Sequence, residues 1–140
     1  MTRKTPSKRR PAAEHDALIA GALRSAAGPV SAYDIIDILR PKATLAPQTV
    51  YRALDRLIEG GRVHRLESLN AFVACAHDCH AGAAVFAICD VCGMVREFDE
   101  PQAVARLQAW ADDANFALSR MTLELRGRCA ACAAASAPGA

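Results

Sequence analysis

Two pairs of cysteines constrain this chain more than any other feature of its sequence. Each pair has the spacing Cys-x-x-Cys, and residues 93–128 separate the two pairs; the four cysteines are Cys89, Cys92, Cys129 and Cys132. Two such pairs supply four soft thiolates, which suit a tetrahedral zinc ion. A dithiol redox pair is the alternative for one Cys-x-x-Cys, but two pairs favour metal. The spacing therefore predicts a structural zinc site that closes the segment between the pairs into one unit.

The charge of the chain is divided unevenly between its two halves. Residues 1–75 carry 12 Lys and Arg against 7 Asp and Glu, whereas residues 76–140 carry 5 against 8. A basic first half and an acidic second half indicate that only the first half contacts a polyanion such as nucleic acid. Charge alone would also fit an ordinary solvated surface.

No targeting segment is visible in the sequence. Residues 1–11 contain five basic residues, but no apolar run follows them, as it would in a secretory signal. No stretch approaches the roughly 20 apolar residues of a membrane span. We therefore expect a cytoplasmic protein without membrane contact. Because cytoplasmic thiols stay reduced, the six cysteines indicate metal ligands rather than disulfides.

The first half has the pattern of a winged helix-turn-helix. Residues 1–12 predict a disordered basic arm. Apolar periodicity and breaker residues then predict three helices and a β-hairpin, over residues 14–26, 31–40, 47–59, 62–67 and 71–75. Ser31 and Asp34 form a weak variant of a capping box at the second helix, and the hairpin turns at Ser68 and Leu69. This order of elements predicts a DNA-binding domain over residues 13–75.

The second half predicts a small α/β domain. After a polar linker at 76–82, the pattern predicts strands, one helix and a last strand, over residues 83–88, 94–98, 101–114 and 117–126. We expect a dimerisation and zinc-binding domain over 83–132. The Ala-rich residues 133–140 predict a disordered tail. The fold class expected for the whole chain is α+β.

A second group of potential metal ligands lies around the boundary between the two predicted domains. It comprises His64, Cys75, His80 and Glu97. If the hairpin turns at Ser68, His64 and Cys75 lie diagonally on one of its faces, within reach of one ion. Sulfur, nitrogen and oxygen donors together fit zinc. A site with ligands from both domains and the linker would fix the angle between the domains. His77 or Cys79 could replace His80.

Several motifs resemble those of the ferric uptake regulator superfamily over about residues 14–132. They are Ser31-Ala32-Tyr33-Asp34, Thr49-Val50-Tyr51-Arg52-Ala53-Leu54, His64-Arg65-Leu66-Glu67-Ser68 and the two cysteine pairs. The greatest similarity is to the zinc uptake regulator branch, whose regulatory ligands map onto His64, Cys75, His80 and Glu97. The resemblance implies a homodimeric repressor that binds operators of zinc-homeostasis genes when it holds two zinc ions per protomer. The N-terminal helical region is short for the family, and the spacing of 79–87 is unusual.

The resemblance also implies that the third helix enters the DNA major groove. Arg52 can bind guanine bidentately, and Tyr51 can contact a thymine methyl or a phosphate, although partial packing against the wing would also explain Tyr51. Gln48 and Thr49 lie at the start of the helix. The full set of expected DNA contacts is Tyr33, Lys42, Gln48, Thr49, Tyr51, Arg52 and Arg65, with Lys42 and Arg65 on the backbone.

The second helix offers a possible contact between two dimers on one operator. Asp37 and Arg40 lie three residues apart on its solvent face. An internal ion pair is the simpler interpretation and is worth only a few tenths of a kcal/mol. The functional alternative pairs Asp37 of one protomer with Arg40 of another across a two-fold axis.

Two other functions fit the sequence less well. A catalytic zinc ion keeps a position open for water, whereas both predicted sites can be filled by four protein ligands, and the sequence has no His-Glu-x-x-His. We therefore expect no enzyme and no catalytic residues. A peroxide sensor of the same fold would prefer iron with nitrogen and oxygen ligands, and Cys75 favours zinc instead.

Overall fold

The computed structural model describes residues 10–76 and 83–136. The first unit contains three helices and a hairpin: α1 (Ala12–Ser25), α2 (Ala32–Leu39), α3 (Pro47–Glu59), β1 (Val63–Leu66) and β2 (Ala71–Ala74). Apolar faces of the three helices pack together around Ile19, Ile35 and Leu54, all of which are buried. The predicted winged helix-turn-helix is therefore present.

Local sequence signals explain where these helices begin. The Ser31 hydroxyl accepts a hydrogen bond from the Asp34 N–H, and the Asp34 carboxylate accepts one from the Ser31 N–H, so the predicted capping box is complete. These bonds satisfy two of the N–H groups that a helix start leaves unpaired. The hydrogen bond from the Ser31 N–H, followed by the interaction with the Ser31 side chain, lowers the pKa of Asp34. Pro47 occupies the first turn of α3, where a missing N–H costs nothing.

The hairpin has the register expected from a turn near Ser68. His64 lies opposite Val73, and the Cys75 N–H donates to the Arg62 carbonyl at 2.9 Å. His64 and Cys75 consequently lie diagonally on one face. A 3₁₀ turn joins the strands, and Asn70 ends this turn in the left-handed region at φ 47°. Val30 forms an additional bridge to Phe72 that the sequence did not predict.

The second unit is a three-stranded sheet with one long helix. Its elements are β3 (Ala83–Cys89), β4 (Val95–Phe98), α4 (Pro101–Asp113), β5 (Met121–Gly127) and α5 (Ala130–Ser136). The strand order is β4-β3-β5, with β3 antiparallel to β4 and parallel to β5. Helix α4 lies between β4 and β5 in the chain, as a connection to a parallel strand requires.

The hairpin packs on this sheet through a small apolar cluster. Leu66 of the hairpin and Ala84 and Phe86 of β3 are buried together, with Val73 and Val95 packed against them. The second unit buries few other large side chains. The contact between the two units is therefore part of what covers the sheet.

Three predicted boundaries were wrong. Strand β5 begins at Met121 rather than at residue 117, because Met121 already pairs with Ala83, the first residue of β3. The tail was expected to be disordered from Ala133, but α5 continues to Ser136, as the high helix propensity of alanine favours. Helix α1 includes Ala12, which was assigned to the arm. Residues 1–9 and 137–140, also predicted to be disordered, lie outside the described residues.

None of the helices in the described part of the chain has the length and apolar character that a membrane span requires.

Candidate metal centres and nucleic-acid interface

The parallel pairing of β3 and β5 brings the two cysteine pairs together. Cys89 lies opposite Gly127, so both strands end at the same edge of the sheet and both Cys-x-x-Cys segments follow there. The four sulfur atoms all lie within 4.8 Å of one another. Cys92 Sγ and Cys129 Sγ are 3.9 Å apart. Gly93, at φ +76°, allows the tight turn after the first pair.

Two of the four thiols, Cys89 and Cys132, differ strongly in acidity. Hydrogen bonds from the backbone, those of Cys92 and Cys129 foremost, lower the pKa of Cys89 to about 6. A hydrogen bond to the Cys129 sulfur raises the pKa of Cys132 to about 12. Four adjacent thiolates repel one another unless a cation lies among them. The donor set and its spacing therefore fit a divalent, sulfur-preferring ion such as zinc.

An ion pair that the sequence did not reveal braces the first cysteine pair. The Arg126 guanidinium donates two hydrogen bonds to one Asp90 oxygen, at 2.6 and 2.8 Å. The Asp90 N–H also donates to the Gly127 carbonyl at 2.8 Å. The two residues are 36 positions apart, and only the register of β3 against β5 could have predicted their contact.

Three members of the second predicted ligand group meet between the hairpin and the sheet. One donor atom from each of His64, Cys75 and Glu97 lies within 4.8 Å of the others. Glu97 Oε1 is 3.6 Å from His64 Nε2 and 3.9 Å from Cys75 Sγ. Because His64 and Cys75 belong to the hairpin and Glu97 belongs to β4, the group links the two units.

The surroundings of this group favour metal ligation by a neutral imidazole. The side chains of His64 and Glu97 are only 12% and 10% exposed. Burial lowers the pKa of His64, and the nearby Glu97 charge opposes that shift only in part. The Phe86 and His64 rings pack in a T-shaped arrangement, with 5.4 Å between the centroids. Glu97 Oε2 accepts a hydrogen bond from the Ala76 N–H at 3.0 Å, which orients the carboxylate.

Cys75 departs from the expectation that the cysteines bind metal and form no disulfide. Its sulfur is disulfide-bonded in this structure, so ligation of a metal would require its reduction to the thiol. His80, the fourth predicted ligand, and its alternatives His77 and Cys79 lie outside the described residues. The three described donors, one each of nitrogen, sulfur and oxygen, fit zinc once Cys75 is reduced.

The predicted nucleic-acid contacts lie largely on exposed surface. Tyr33 and Tyr51 are 64% and 42% exposed. Lys42, Gln48 and Arg52 are exposed, while Thr49 is half-buried. Tyr51 also lines a cavity of about 470 Å³ between α3, the hairpin and β5, which agrees with some packing toward the wing.

Arg65 and Arg56 form contacts within the chain, and these contacts restrict the positions that their guanidinium groups can reach. Arg65 lies 5.9 Å from the Phe72 ring centroid and donates to Asn70 Oδ1 at 3.1 Å. Arg56, one turn after Arg52 on α3, forms hydrogen bonds of 2.7–3.1 Å with Asp16 of α1. Arg56 therefore joins two helices, although it and Arg52 are both exposed on α3.

The internal ion pair of Asp37 and Arg40 is present. Arg40 donates to Asp37 Oδ1 at 2.7 Å within α2, and both side chains are largely exposed.

Known proteins resemble this chain over most of its length. The family model described as "Ferric uptake regulator family" matches residues 18–126. The zinc uptake regulation proteins of Escherichia coli (strain K12) and Shigella flexneri are each 42% identical over 107 residues, which is 75% of this chain and 63% of the relative. The match thus spans less than two thirds of the length of these curated relatives.

Solved structures show the same similarity. The crystal structure of holo XcZur is 41% identical with a TM-score of 0.76, over 94% of this chain and 87% of that one. A zinc uptake regulator in complex with zinc and DNA is 35% identical with a TM-score of 0.77, over 98% and 87% of the two chains. The resemblance predicted from the motifs is confirmed, and the chain belongs to the ferric uptake regulator family, in its zinc uptake regulator branch.

Proposed function

We propose that this protein is a zinc-responsive transcriptional repressor that binds operator DNA when it is loaded with zinc. The observation that carries the proposal is the donor group of His64, Cys75 and Glu97, which joins the winged-helix unit to the sheet. A metal bound there favours one arrangement of the two units, and an ion can shift an equilibrium only through such differential affinity. The similarity to a zinc uptake regulator complexed with zinc and DNA supports this function.

The central experiment is a DNA-binding titration against free zinc. Reduced protein, pre-loaded at the four-cysteine site, is titrated with zinc in the presence of a duplex selected from a random-sequence library by zinc-saturated protein. We expect binding to rise with zinc occupancy and elemental analysis to give two zinc ions per protomer. Tight DNA binding that ignores zinc would refute the proposal, and so would a demonstrated turnover activity without DNA binding.

We assign different roles to the two metal sites. The four-cysteine group joins the ends of two strands within one unit, so its zinc would be structural. The group of His64, Cys75 and Glu97 would hold the regulatory zinc, with His80 as the predicted fourth ligand. We propose a cytoplasmic, non-enzymatic protein. Its proposed function requires access to DNA and a reducing environment in which Cys75 is a thiol.

We further propose that the protein acts as a homodimer. The second unit exposes several large apolar side chains, among them Trp110, which is 62% exposed, and Phe116 and Leu125. Leu125 lies on β5, at an edge of the sheet. The ring centroids of Trp110, near the end of α4, and Phe116, which follows the helix, are 6.0 Å apart. A second copy would cover such a surface, and two copies would read two half-sites.

Arg52→Ala is predicted to weaken sequence-specific binding by about 1–3 kcal/mol, the usual value of a bidentate arginine–guanine contact. Non-specific binding should change little. The measurement is the dissociation constant for the selected duplex and for a random duplex at one salt concentration.

Arg106→Ala is the matched control, since it removes the same charge from an exposed position on α4. It should leave both dissociation constants close to the wild-type values. Equal losses on the selected and random duplexes in Arg52→Ala would instead assign Arg52 to the phosphate backbone.

For the contact between two dimers, we predict the outcome of a charge swap. Exposed ion pairs are each worth under about 1 kcal/mol, so a pairing of Asp37 with Arg40 between protomers would form only where DNA holds the dimers close together. Asp37→Arg and Arg40→Asp should each abolish cooperative occupancy of a full operator while sparing the binding of one dimer. The double swap should restore cooperativity. Fully cooperative single variants would leave only the internal ion pair seen in α2.

A further inference from the structure

A row of three side chains runs across the sheet beneath the hairpin. Phe86 of β3 lies opposite Glu97 of β4 on one side and opposite Glu124 of β5 on the other. Residues paired in register point to the same face of a sheet. The row therefore places one carboxylate on each side of a buried aromatic ring, with about 10 Å, two strand spacings, between the two glutamate positions.

Each member of this row contacts a different part of the hairpin. Glu97 faces His64 and the Ala76 N–H at the base of the hairpin, and Phe86 packs with Leu66. Glu124 accepts a hydrogen bond of 2.8 Å from the Ser68 hydroxyl in the turn, and the Ser68 N–H lies 3.4 Å from both carboxylate oxygens. The turn is therefore fastened to β5 by a contact that involves none of the proposed metal ligands.

We propose that Glu124 is a positioning residue for DNA binding, which holds the turn of the hairpin on the sheet and so fixes the winged-helix unit in its DNA-competent orientation. The inference rests on the proposed function. Its structural support is that this arrangement of the whole chain matches a zinc- and DNA-bound regulator with a TM-score of 0.77. The regulatory metal would hold the base of the hairpin on the sheet, and Glu124 holds the turn of the hairpin on the sheet.

The charge change in Glu124→Ala makes it possible to distinguish lost positioning from an electrostatic effect on DNA binding. Glu124→Ala removes a negative charge, and a less negative protein should bind the phosphate backbone more tightly. A loss of affinity therefore has to come from lost positioning. We expect the dissociation constant for the selected duplex to rise about tenfold at saturating zinc, the equivalent of one hydrogen bond to a charged group.

The experiment compares five variants with the wild-type protein. Ser68→Ala should weaken binding by no more than Glu124→Ala, and the double variant should bind as Glu124→Ala does, because both substitutions remove one contact. Glu124→Gln keeps an acceptor oxygen for Ser68 and should restore most of the affinity. Glu100→Ala, which removes an exposed charge from the same unit, should not weaken binding. Zinc content should be unchanged in all variants.

A measurement on the free protein separates this inference from the proposed function. A ketone-bearing amino acid at each of two exposed positions, Arg24 and Gln102, takes a spin label without modifying the cysteines. The labelled protein is mixed with excess unlabelled protein, so that few dimers carry labels on both protomers. In zinc-loaded wild-type protein the distance distribution between the labels should then be narrow, and Glu124→Ala should broaden it.

Two outcomes overturn the inference, and a third bears on the proposed function alone. An unchanged distance distribution in Glu124→Ala overturns it whether or not the protein binds DNA, and a broadened distribution with unchanged DNA affinity overturns the positioning role. Zinc-independent binding by the wild-type protein would refute the proposed function, while the label distances would still test the contact. If Glu124→Ala does not fold, Ser68→Ala in the exposed turn provides the same comparison.

Discussion

Cys132→Ser is expected to yield protein whose second unit is unfolded, or which fails to dimerise, with at least one zinc ion fewer per protomer. The physical reason is that a thiolate-rich zinc site contributes folding free energy, about 10 kcal/mol or more in small zinc domains. The second unit has few other means of stabilisation, since its described core rests mainly on residues of β3, including Phe86 and Ile88, with Ala111 from α4. Circular dichroism, sedimentation and elemental analysis together test the expectation.

Ala131→Ser is the matched control for this substitution. It places the same hydroxyl-bearing side chain one residue away, at an exposed position of α5, and leaves all four thiols in place. This variant should fold, dimerise and bind zinc as the wild-type protein does. Cys89→Ser should resemble Cys132→Ser, although the two thiols differ in acidity, because zinc needs the whole donor set. A folded dimer with unchanged zinc content in either cysteine variant would show that the assignment of the four-cysteine site is wrong.

Much of the fold could be predicted because its signals are local. The Ser31–Asp34 capping box, Pro47 at the start of α3 and the turn near Ser68 each fix an element boundary within a few residues. The turn position also fixes the register of the hairpin, and the register places His64 and Cys75 on one face. This is why two of the three described donors at the junction could be brought together from the sequence alone.

Most of the contacts and boundaries that the sequence did not reveal depend on how the strands of the sheet pair. The Arg126–Asp90 ion pair and the Ser68–Glu124 contact join residues 36 and 56 positions apart. The first depends on the parallel register of β3 and β5, and the second also depends on how the hairpin packs on the sheet. The start of β5 at Met121 has the same origin, because it is set by where β3 begins. The continuation of α5 to Ser136 was missed for a different reason, since an Ala-rich segment was interpreted by its composition rather than by its helix propensity.

Cys75→Ala should give a folded dimer that retains the zinc of the four-cysteine site, loses the second zinc and binds the selected duplex only weakly. Because Cys75 ends the hairpin and lies outside the apolar cores, its loss should cost little folding free energy. Without its sulfur the remaining described donors, His64 and Glu97, form an incomplete site, and zinc can no longer favour one arrangement of the two units. The measurement is zinc content and DNA affinity in the presence of a reductant, which also removes the disulfide of Cys75 in the wild-type protein used for comparison.

Two glutamine variants separate metal ligation from charge at this junction. Glu97→Gln still offers an oxygen to the Ala76 N–H but removes the carboxylate that faces His64 and Cys75, so we expect it to behave as Cys75→Ala does. Glu124→Gln makes the same change on the other side of Phe86, and it should retain two zinc ions per protomer. A Cys75→Ala protein that still responded to zinc with wild-type DNA affinity would remove Cys75 from the regulatory site. Equal zinc loss in both glutamine variants would show that the negative charge of the sheet, rather than ligation by Glu97, retains the second zinc ion.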